Sequence, residues 1–77
     1  MSRAFVLVNT DVGHEKEVVQ KLMEIEGVSE AYQTYGQYDI IAKVEADTRE
    51  KVKEIVLSWI RTRDDVRSSL TLVVSEP

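Results

Sequence analysis

Three tyrosines and an aspartate lie together in the middle of the chain, where they could hold a small molecule. Tyr32, Tyr35 and Tyr38 recur at every third position, and Asp39 follows directly. Aromatic rings could cover a small ligand, and a carboxylate beside them can pair with an amine. The same tyrosines could instead simply pack across a sheet. The residue types alone leave both interpretations open.

Other reactive side chains stand alone in the sequence. His14 is the only histidine, and it falls at the predicted start of a helix, where the dipole disfavours a protonated imidazole. A general base needs an orienting partner and a pocket, and the neighbouring carboxylates are expected on solvated helical faces. Ser68 and Ser69 have no nucleophile-elbow pattern around them. We therefore expect no catalytic residue.

Metal and cofactor sites are not indicated either. The chain has no cysteine, and its single histidine and scattered carboxylates show no ligand spacing. The glycines at positions 13, 27 and 36 are isolated, so they form no phosphate-cradling loop. We expect no metal and no cofactor.

Length and charge narrow the class of protein. A chain of 77 residues is expected to form a single domain over residues 1–77. The formal charge of −4 argues against a surface that tracks phosphates, so no direct nucleic-acid partner is expected. The first apolar run, residues 4–8, is too short for a signal sequence or a membrane span. The expected location is the cytoplasm, with no membrane partner.

Hydrophobic periodicity predicts elements in the order β-α-β-β-α-β. Strands are expected over residues 3–9, 28–35, 38–45 and 66–74, and the first helix over residues 14–26. Gly36 and Gln37 are expected to form a two-residue hairpin turn between the middle strands. A capping box with Asp47 as the N-cap is expected to begin the second helix.

This order predicts an α+β fold, a ferredoxin-like sandwich in which two helices cover one face of a four-stranded antiparallel sheet. The apolar stripe of the second helix, which includes Trp59, is expected to fill the core. The other sheet face is expected to carry Phe5, Leu7, Ile41 and Val73. An apolar patch of this kind indicates an interaction surface, so we predict face-to-face dimerisation. Scattered surface apolar residues without a role are the alternative.

The sequence around the central hairpin resembles a known regulatory family. The resemblance covers nearly the whole chain and rests on three segments. These are the hairpin Gly-Gln-Tyr-Asp at 36–39 with the Ile-Ile that follows, the Gly-Val step at 27–28, and the last strand at 66–74. In this order and spacing they are similar to the effector domain of the leucine-responsive (Lrp/AsnC) regulators, known as the RAM domain.

The resemblance implies a dimeric α+β barrel built by pairing two sheets, with homodimers assembling into octamers or decamers. It also implies a small effector, usually an amino acid, bound where dimers meet. By position, the family's binding role falls on Gly36, Gln37, Tyr38 and Asp39 in the hairpin, and on the hydroxyl residues Ser69 and Thr71 in the last strand. Tyr35, from the tyrosine cluster, completes this predicted ligand-binding set.

The regulators of this family carry an N-terminal helix-turn-helix that binds DNA. Here the first strand is predicted to begin at residue 3, so we expect a stand-alone RAM domain. Such a domain is expected to be non-enzymatic, to bind an effector, and to modulate a full-length Lrp/AsnC regulator by mixed assembly.

Two rival functions share the same topology. One is a small dimeric α+β barrel enzyme, of the monooxygenase or isomerase kind, which would need a deep polar cavity between helices and sheet. The other is an assembly module without a ligand, in which the hairpin motif serves oligomerisation alone.

Overall fold

A computed structural model of the chain describes residues 1–75, which form an antiparallel sheet covered by helices on one face. Neighbouring strands follow the order β2-β3-β1-β4. The arrangement is ferredoxin-like, so the predicted fold class is confirmed. The elements in chain order are β1 (Ser2–Thr10), α1 (Glu15–Met23), β2 (Val28–Gln33), β3 (Ile40–Ala46), α2 (Arg49–Ile55) and β4 (Val66–Val73).

The core lies between the helices and one face of the sheet. Side chains alternate along a strand, so the even-numbered residues of β1 and β3 all point into it. From the helices, Val18, Leu22 and Val52 are fully buried against that face. The other face has no covering layer within residues 1–75. The buried sheet residues are Ala4, Val6, Val8, Ile40, Ala42 and Val44.

Helix α2 continues into a π-helical turn, Val56–Ile60, that the sequence pattern did not predict. The backbone N–H of Arg61 donates to the carbonyl of Val56 at 2.9 Å, a bond that admits one extra residue into the turn. The extra residue rotates the side chains that follow, so Ile60 is fully buried while Trp59 is 60% exposed. The expectation that Trp59 fills the core is wrong.

Helix α2 also begins one residue later than the expected capping box requires. Its N-cap is Thr48, whose Oγ1 accepts a hydrogen bond from the backbone N–H of Lys51 at 3.1 Å. The prediction of Asp47 as the cap is wrong. Threonine and aspartate both satisfy the free amides of a first turn, so the local pattern could not distinguish two adjacent starts.

The pairing of β1 with β4 contains a bulge near the start of β4. Residues 4–9 pair regularly with residues 73–68, and then the register shifts so that Thr10 pairs with Val66. The extra residue, Arg67, reverses the alternation of side chains along the strand. Val66 therefore packs against the core, and the odd-numbered residues that follow the bulge lie on the same side of the sheet.

This reversal changes the composition of the uncovered sheet face. Val73 pairs with Ala4 and lies on the helix side, so its predicted place on the uncovered face is wrong. Leu72 pairs with Phe5, and the next leucine of β4, Leu70, pairs with Leu7. Without the bulge, regular alternation starting at Val66 would have placed Leu70 and Leu72 on the helix side and Val73 on the uncovered face.

The connection between β2 and β3 is longer than the predicted two-residue turn. It runs over residues 34–39 and is closed by the backbone N–H of Thr34, which donates to the carbonyl of Asp39 at 2.8 Å. The Oγ1 of Thr34 also donates to the carbonyl of Tyr38 at 2.7 Å. The hairpin is therefore a six-residue loop with a hydrogen-bonded base.

Candidate ligand site

Asp39 fastens the hairpin loop to the end of β1. Its backbone N–H donates to the carbonyl of Val8 at 3.0 Å and to Oδ1 of Asn9 at 3.2 Å. Its carboxylate Oδ2 accepts a hydrogen bond from the backbone N–H of Thr10 at 3.0 Å. Bonds to three successive residues of β1 fix both the position and the orientation of this carboxylate.

The second carboxylate oxygen of Asp39 is left without a partner. Among residues 1–75, Oδ1 accepts no hydrogen bond, and the side chain is half-buried. An ionised carboxylate has about four lone-pair sites for donors. Asp39 is therefore held by one oxygen while the other can accept a hydrogen bond from an amine.

The tip of the loop lies open to solvent. Tyr35 is fully exposed, at 105% of its reference area. Gly36 has a φ of 120°, a conformation that side chains with a Cβ rarely adopt, and a Cβ built there would meet no atom within 4 Å. Glycine is therefore required here by the backbone conformation and not by crowding. Gln37 is exposed and Tyr38 is half-buried.

A shallow recess of about 350 Å³ lies beside the loop. Asp39 and Tyr35 line it, as the sequence suggested, together with three residues that the sequence did not single out, Gln33, Thr34 and Glu15. The carboxylate of Glu15 accepts from the backbone N–H of Gly13 at 3.1 Å. Glu15 could have been found only from the position of α1 relative to the hairpin, which is a tertiary property.

The tyrosine cluster seen in the sequence is divided in the structure. Tyr32 points to the uncovered sheet face, where its hydroxyl donates to Oε1 of Glu30 at 2.7 Å. The Nζ of Lys43 lies 3.2 Å from the other oxygen of Glu30. These contacts lower the pKa of Glu30, and the same carboxylate raises the pKa of Tyr32. Tyr32 therefore belongs to a polar network away from the recess.

The predicted hydroxyl residues of β4 do not reach the hairpin recess within one chain. Ser69 and Thr71 pair with Val8 and Val6, on the helix side of the sheet, and both are half-buried. Thr71 lines a different depression, between α2 and β4. The structure therefore brings the hairpin residues together and leaves the β4 residues at a separate place.

The uncovered sheet face carries more apolar surface than the sequence indicated. Phe5, Leu7 and Ile41 lie on it as predicted, half-buried by their neighbours in the sheet. The bulge adds Leu70 and Leu72, which are 43% and 51% exposed. These five residues are called the open face below.

Comparison with known proteins decides the family. The family model described as the Lrp/AsnC ligand binding domain matches residues 3–77. The chain belongs to this family. The match spans all four strands and both helices, so the RAM resemblance noted around the hairpin holds for the whole domain.

Its curated relatives are transcription regulators. An uncharacterized HTH-type transcriptional regulator of Pyrococcus furiosus is 36% identical over 73 residues, which cover 91% of this chain and 49% of the regulator. The regulatory protein AsnC of Escherichia coli is 35% identical over 54 residues, covering 70% of this chain and 36% of that protein. This chain thus spans about half the length, or less, of these relatives.

Solved structures agree with the family. The protein FFRP-DM1 is 37% identical, with a TM-score of 0.91 that covers 97% of this chain and 100% of that one. The protein PHS023 from Pyrococcus horikoshii is 36% identical, with a TM-score of 0.92 that covers 100% of this chain and 93% of that one. A transcriptional regulator from Neisseria meningitidis, solved in complex with L-Met, shares the fold at 14% identity and a TM-score of 0.83, covering 97% of this chain and 50% of that one.

These relatives exclude the enzyme interpretation. They are transcription regulators with a ligand-binding domain, and Lrp/AsnC domains of this kind are not enzymes. The space between helices and sheet, where an α+β barrel enzyme would need its cavity, is filled by aliphatic side chains such as Leu22, Ile40 and Ile60. Within residues 1–75, neither helix has the length or apolar content needed to cross a bilayer.

Proposed function

We propose that this Lrp/AsnC domain binds a free amino acid at the hairpin recess, and that this binding changes the oligomeric assembly of the domain. The observation that carries the proposal is the carboxylate of Asp39. One of its oxygens is held by the backbone of Thr10, and the other has no partner among residues 1–75. A fixed acceptor of this kind suits the ammonium group of an amino acid.

The loop beside Asp39 offers donors for the other end of the ligand. The backbone N–H groups of residues 35–38 donate to no other group within residues 1–75. Backbone N–H groups in a turn can bind a carboxylate, as they do in other anion-binding loops. Gly36, which has no side chain, permits the ligand to approach the backbone closely. The recess would thus accept a zwitterion, with Tyr35, Gln37 and Tyr38 around it.

The family supports this assignment. A ligand-binding domain is the description of the matching family model, and a regulator of the same fold was solved in complex with L-Met. Which amino acid fits depends on side chains that surround the recess in the assembly.

We further propose that two chains pair through their open faces. A lone chain would expose Leu70 and Leu72 beside Phe5 and Leu7, whereas soluble monomers rarely show contiguous apolar patches beyond a few hundred Å². The Glu30–Lys43 pair lies at the margin of this face, where a polar rim is expected. The homodimer would then be the unit from which octamers or decamers assemble.

The relatives support a proposal for the regulatory partner. Helix-turn-helix regulators of about twice this length carry a domain like this one, so we propose that the chain acts on a full-length Lrp/AsnC regulator in the cytoplasm by mixed assembly. The chain itself is acidic, with a formal charge of −4, which disfavours direct contact with DNA.

A thermal-shift screen against the twenty amino acids tests the proposal. A ligand that binds only the folded state raises Tm by mass action, by an amount set by the ratio of its concentration to Kd. A selective shift supports an amino-acid sensor and names its effector. An absence of any shift, with the assembly intact, would contradict effector binding and favour an assembly module.

A further inference from the structure

A groove lies on the outer surface of the helix layer, between α1 on one side and α2 with its π-helical turn on the other. It consists of two adjoining recesses of about 700 and 570 Å³, and Lys21, Trp59 and Arg63 line both of them. We call the two recesses together the helix groove. It shares no residue with the hairpin recess or with the open face, so it is a separate surface of the molecule.

An exposed tryptophan lies where the two recesses join. The π-helical turn directs Ile60 into the core and leaves the indole of Trp59 60% exposed. The indole N–H donates to no group within residues 1–75. Tryptophan side chains are on average highly buried, and at protein interfaces they are enriched among the residues that dominate the binding energy. The turn therefore presents a ring that a partner could cover, and π-helical turns are frequent at functional sites.

The helix groove is strongly anionic. Seven carboxylates and three cations line it, which leaves an excess of four negative charges. This excess equals the formal charge of the whole chain, −4, so positive and negative side chains balance outside the groove. The larger recess contains Asp11, Glu17, Asp64 and Asp65, and the smaller one contains Glu24, Glu26 and Glu54.

The positive charges of the groove are already neutralised by its own carboxylates. Lys21, Arg63 and Lys51 each form an ion pair with a carboxylate of the groove, at 2.9, 3.0 and 3.3 Å respectively. Three carboxylates are exposed and form neither an ion pair nor a side-chain hydrogen bond within residues 1–75; they are Glu24, Glu26 and Asp64. The charge that remains for an incoming partner is therefore negative.

The carboxylates are spread along the groove and are not gathered at one point. In the part of the chain that the structure describes, no three acidic or histidine side chains are placed to hold a metal ion. Separated carboxylates around a ring suit a segment that carries several Lys or Arg side chains. Each cation can then face a different carboxylate, while a guanidinium stacks on the face of the indole.

The relatives indicate a source for such a segment. The Pyrococcus furiosus regulator is of the helix-turn-helix type, and this chain, a ligand-binding domain, matches 49% of it. The DNA-binding part of such a regulator must present Lys and Arg side chains, because neutralising phosphates supplies much of the affinity for DNA. A mixed assembly would bring that basic surface close to this acidic chain.

We propose that the helix groove docks a basic segment of the DNA-binding half of an Lrp/AsnC regulator, with an Arg side chain on the ring of Trp59 and further cations facing Glu24, Glu26 and Asp64. The inference rests on the proposed function, which supplies the partner, and it adds a contact through which the chain acts on that partner. Docking occupies cations that otherwise contact phosphates, so the chain lowers the affinity of the regulator for DNA. The contact joins exposed charges and therefore weakens as salt concentration rises.

The chemistry of the groove is tested with a synthetic tetra-arginine peptide. Trp59 is the only tryptophan of the chain, so its fluorescence reports binding directly. We expect a saturable change with tetra-arginine at low salt and none with tetraglutamine. E24K/D64K should lower the affinity at least about tenfold. The matched control D47K/E50K makes the same charge change at two exposed carboxylates that lie outside the groove and have no ion pair within residues 1–75, and it should bind as the wild type does.

The contribution of the ring is measured by calorimetry with the same peptide, since its removal also removes the fluorescence signal. W59A should bind tetra-arginine at least about threefold more weakly, which is the effect of losing a cation–π contact at an exposed site. Unchanged affinity in W59A or E24K/D64K, or an equal loss in D47K/E50K, would overturn the proposal. A Trp59 emission that changes with the concentration of this chain alone would show that a second copy occupies the groove, and would overturn it as well.

The partner is tested with the full-length Pyrococcus furiosus regulator and a fluorescein-labelled DNA duplex. We expect the wild-type chain and D47K/E50K to lower the affinity of the regulator for DNA at least about tenfold, and E24K/D64K to join the mixed assembly without this effect. Equal inhibition by E24K/D64K would overturn docking to the DNA-binding half and leave mixed assembly standing. A regulator that does not assemble with the chain at all would contradict the mixed assembly of the proposed function, and the docking with it.

Discussion

The carboxylate of Asp39 accepts a hydrogen bond of 3.0 Å from the backbone N–H of Thr10, a residue 29 positions earlier in the chain. Thr10 is the last residue of β1 and lies where the register with β4 shifts. The backbone of Asp39 binds the same strand end, through Val8 and Asn9. The residue predicted to bind a ligand therefore also holds the loop that carries it.

The two roles of Asp39 can be separated by two substitutions. Asp39→Asn keeps an oxygen that can accept from Thr10, so we expect stability close to that of the wild type. Asp39→Ala leaves that amide without its acceptor and should lower the free energy of unfolding by about 1–2 kcal/mol. Both variants lose the charge that pairs with an ammonium group, so both should bind the effector at least about tenfold more weakly. Urea unfolding and calorimetry provide the two readouts, and wild-type affinity in Asp39→Asn would rule out the ammonium contact.

The open face can be tested with a single charge. Leu72→Glu places a carboxylate on a residue that is 51% exposed opposite Phe5. We expect the proposed dimer to dissociate, because an unpaired charge would be buried in its interface, while the chain stays folded. Met23→Glu is the control, since Met23 is 45% exposed on the helix layer and should leave the dimer intact. Sedimentation velocity measures the mass, and a dimeric Leu72→Glu would show that another surface pairs the chains.

The π-helical turn predicts contrasting effects for adjacent residues. Ile60→Ala should lower the free energy of unfolding by about 2–5 kcal/mol, because Ile60 is fully buried in the core. Trp59→Ala should cost less than about 1 kcal/mol, because the indole is 60% exposed. Trp59 is the only tryptophan, so its fluorescence in the wild type should also resemble that of indole in water. Equal losses of stability in urea titrations would mean that Trp59 packs in the core after all.

The turn before β4 should contribute to the loss of stability in acid. Arg63 donates to both carboxylate oxygens of Asp65, at 3.0 and 3.2 Å, and these hydrogen bonds lower the pKa of Asp65. A carboxyl whose pKa is lower in the folded state stabilises the fold above its unfolded pKa, which is about 3.9. That contribution is present at neutral pH and disappears as pH falls through the folded pKa.

The comparison is between the wild type and Asp65→Asn in urea, from pH 7 down to pH 2.5. The difference in unfolding free energy should be constant above about pH 5 and shrink below about pH 4. A difference that does not change with pH would mean that the Arg63 contact does not depend on the charge of Asp65.

Local patterns were sufficient to predict the elements and the buried face of the central strands. Val6 and Val8 alternate with Phe5 and Leu7, and this period of two survives intact in β1. The errors arose where one residue was added to a regular pattern. The π turn adds one residue within Val56–Ile60, and the bulge adds one at Arg67, and neither is signalled by the apolar periodicity around it.

The candidate site was predictable only in part for the same reason. The hairpin residues Gly36 and Asp39 were visible as a motif in the sequence. The bond from Thr10 to Asp39 and the place of Glu15 beside the recess depend on β1 and α1 folding against the hairpin. Such contacts join residues that are distant in the chain, and no local pattern encodes them. Thr71 likewise lies on a strand that the sequence predicted, but it lines the depression between α2 and β4 and not the hairpin recess.

The pairing of β4 beyond the bulge between Thr10 and Val66 sets a limit on how this sequence can change length. Loss of Arg67 would only remove the bulge, because Ser68 would then follow Val66 in regular alternation and Leu70 and Leu72 would stay on the open face. A residue gained after Leu70 would instead exchange the two sides of the strand beyond it, since the side-chain period of a strand is two, and would turn Leu72 into the core and Thr71 outward. The tip of the hairpin loop can gain or lose residues without such an effect. Whether this domain tolerates an insertion or a deletion should therefore depend on whether the change shifts the alternation of side chains along β4, and not on how exposed the altered position is.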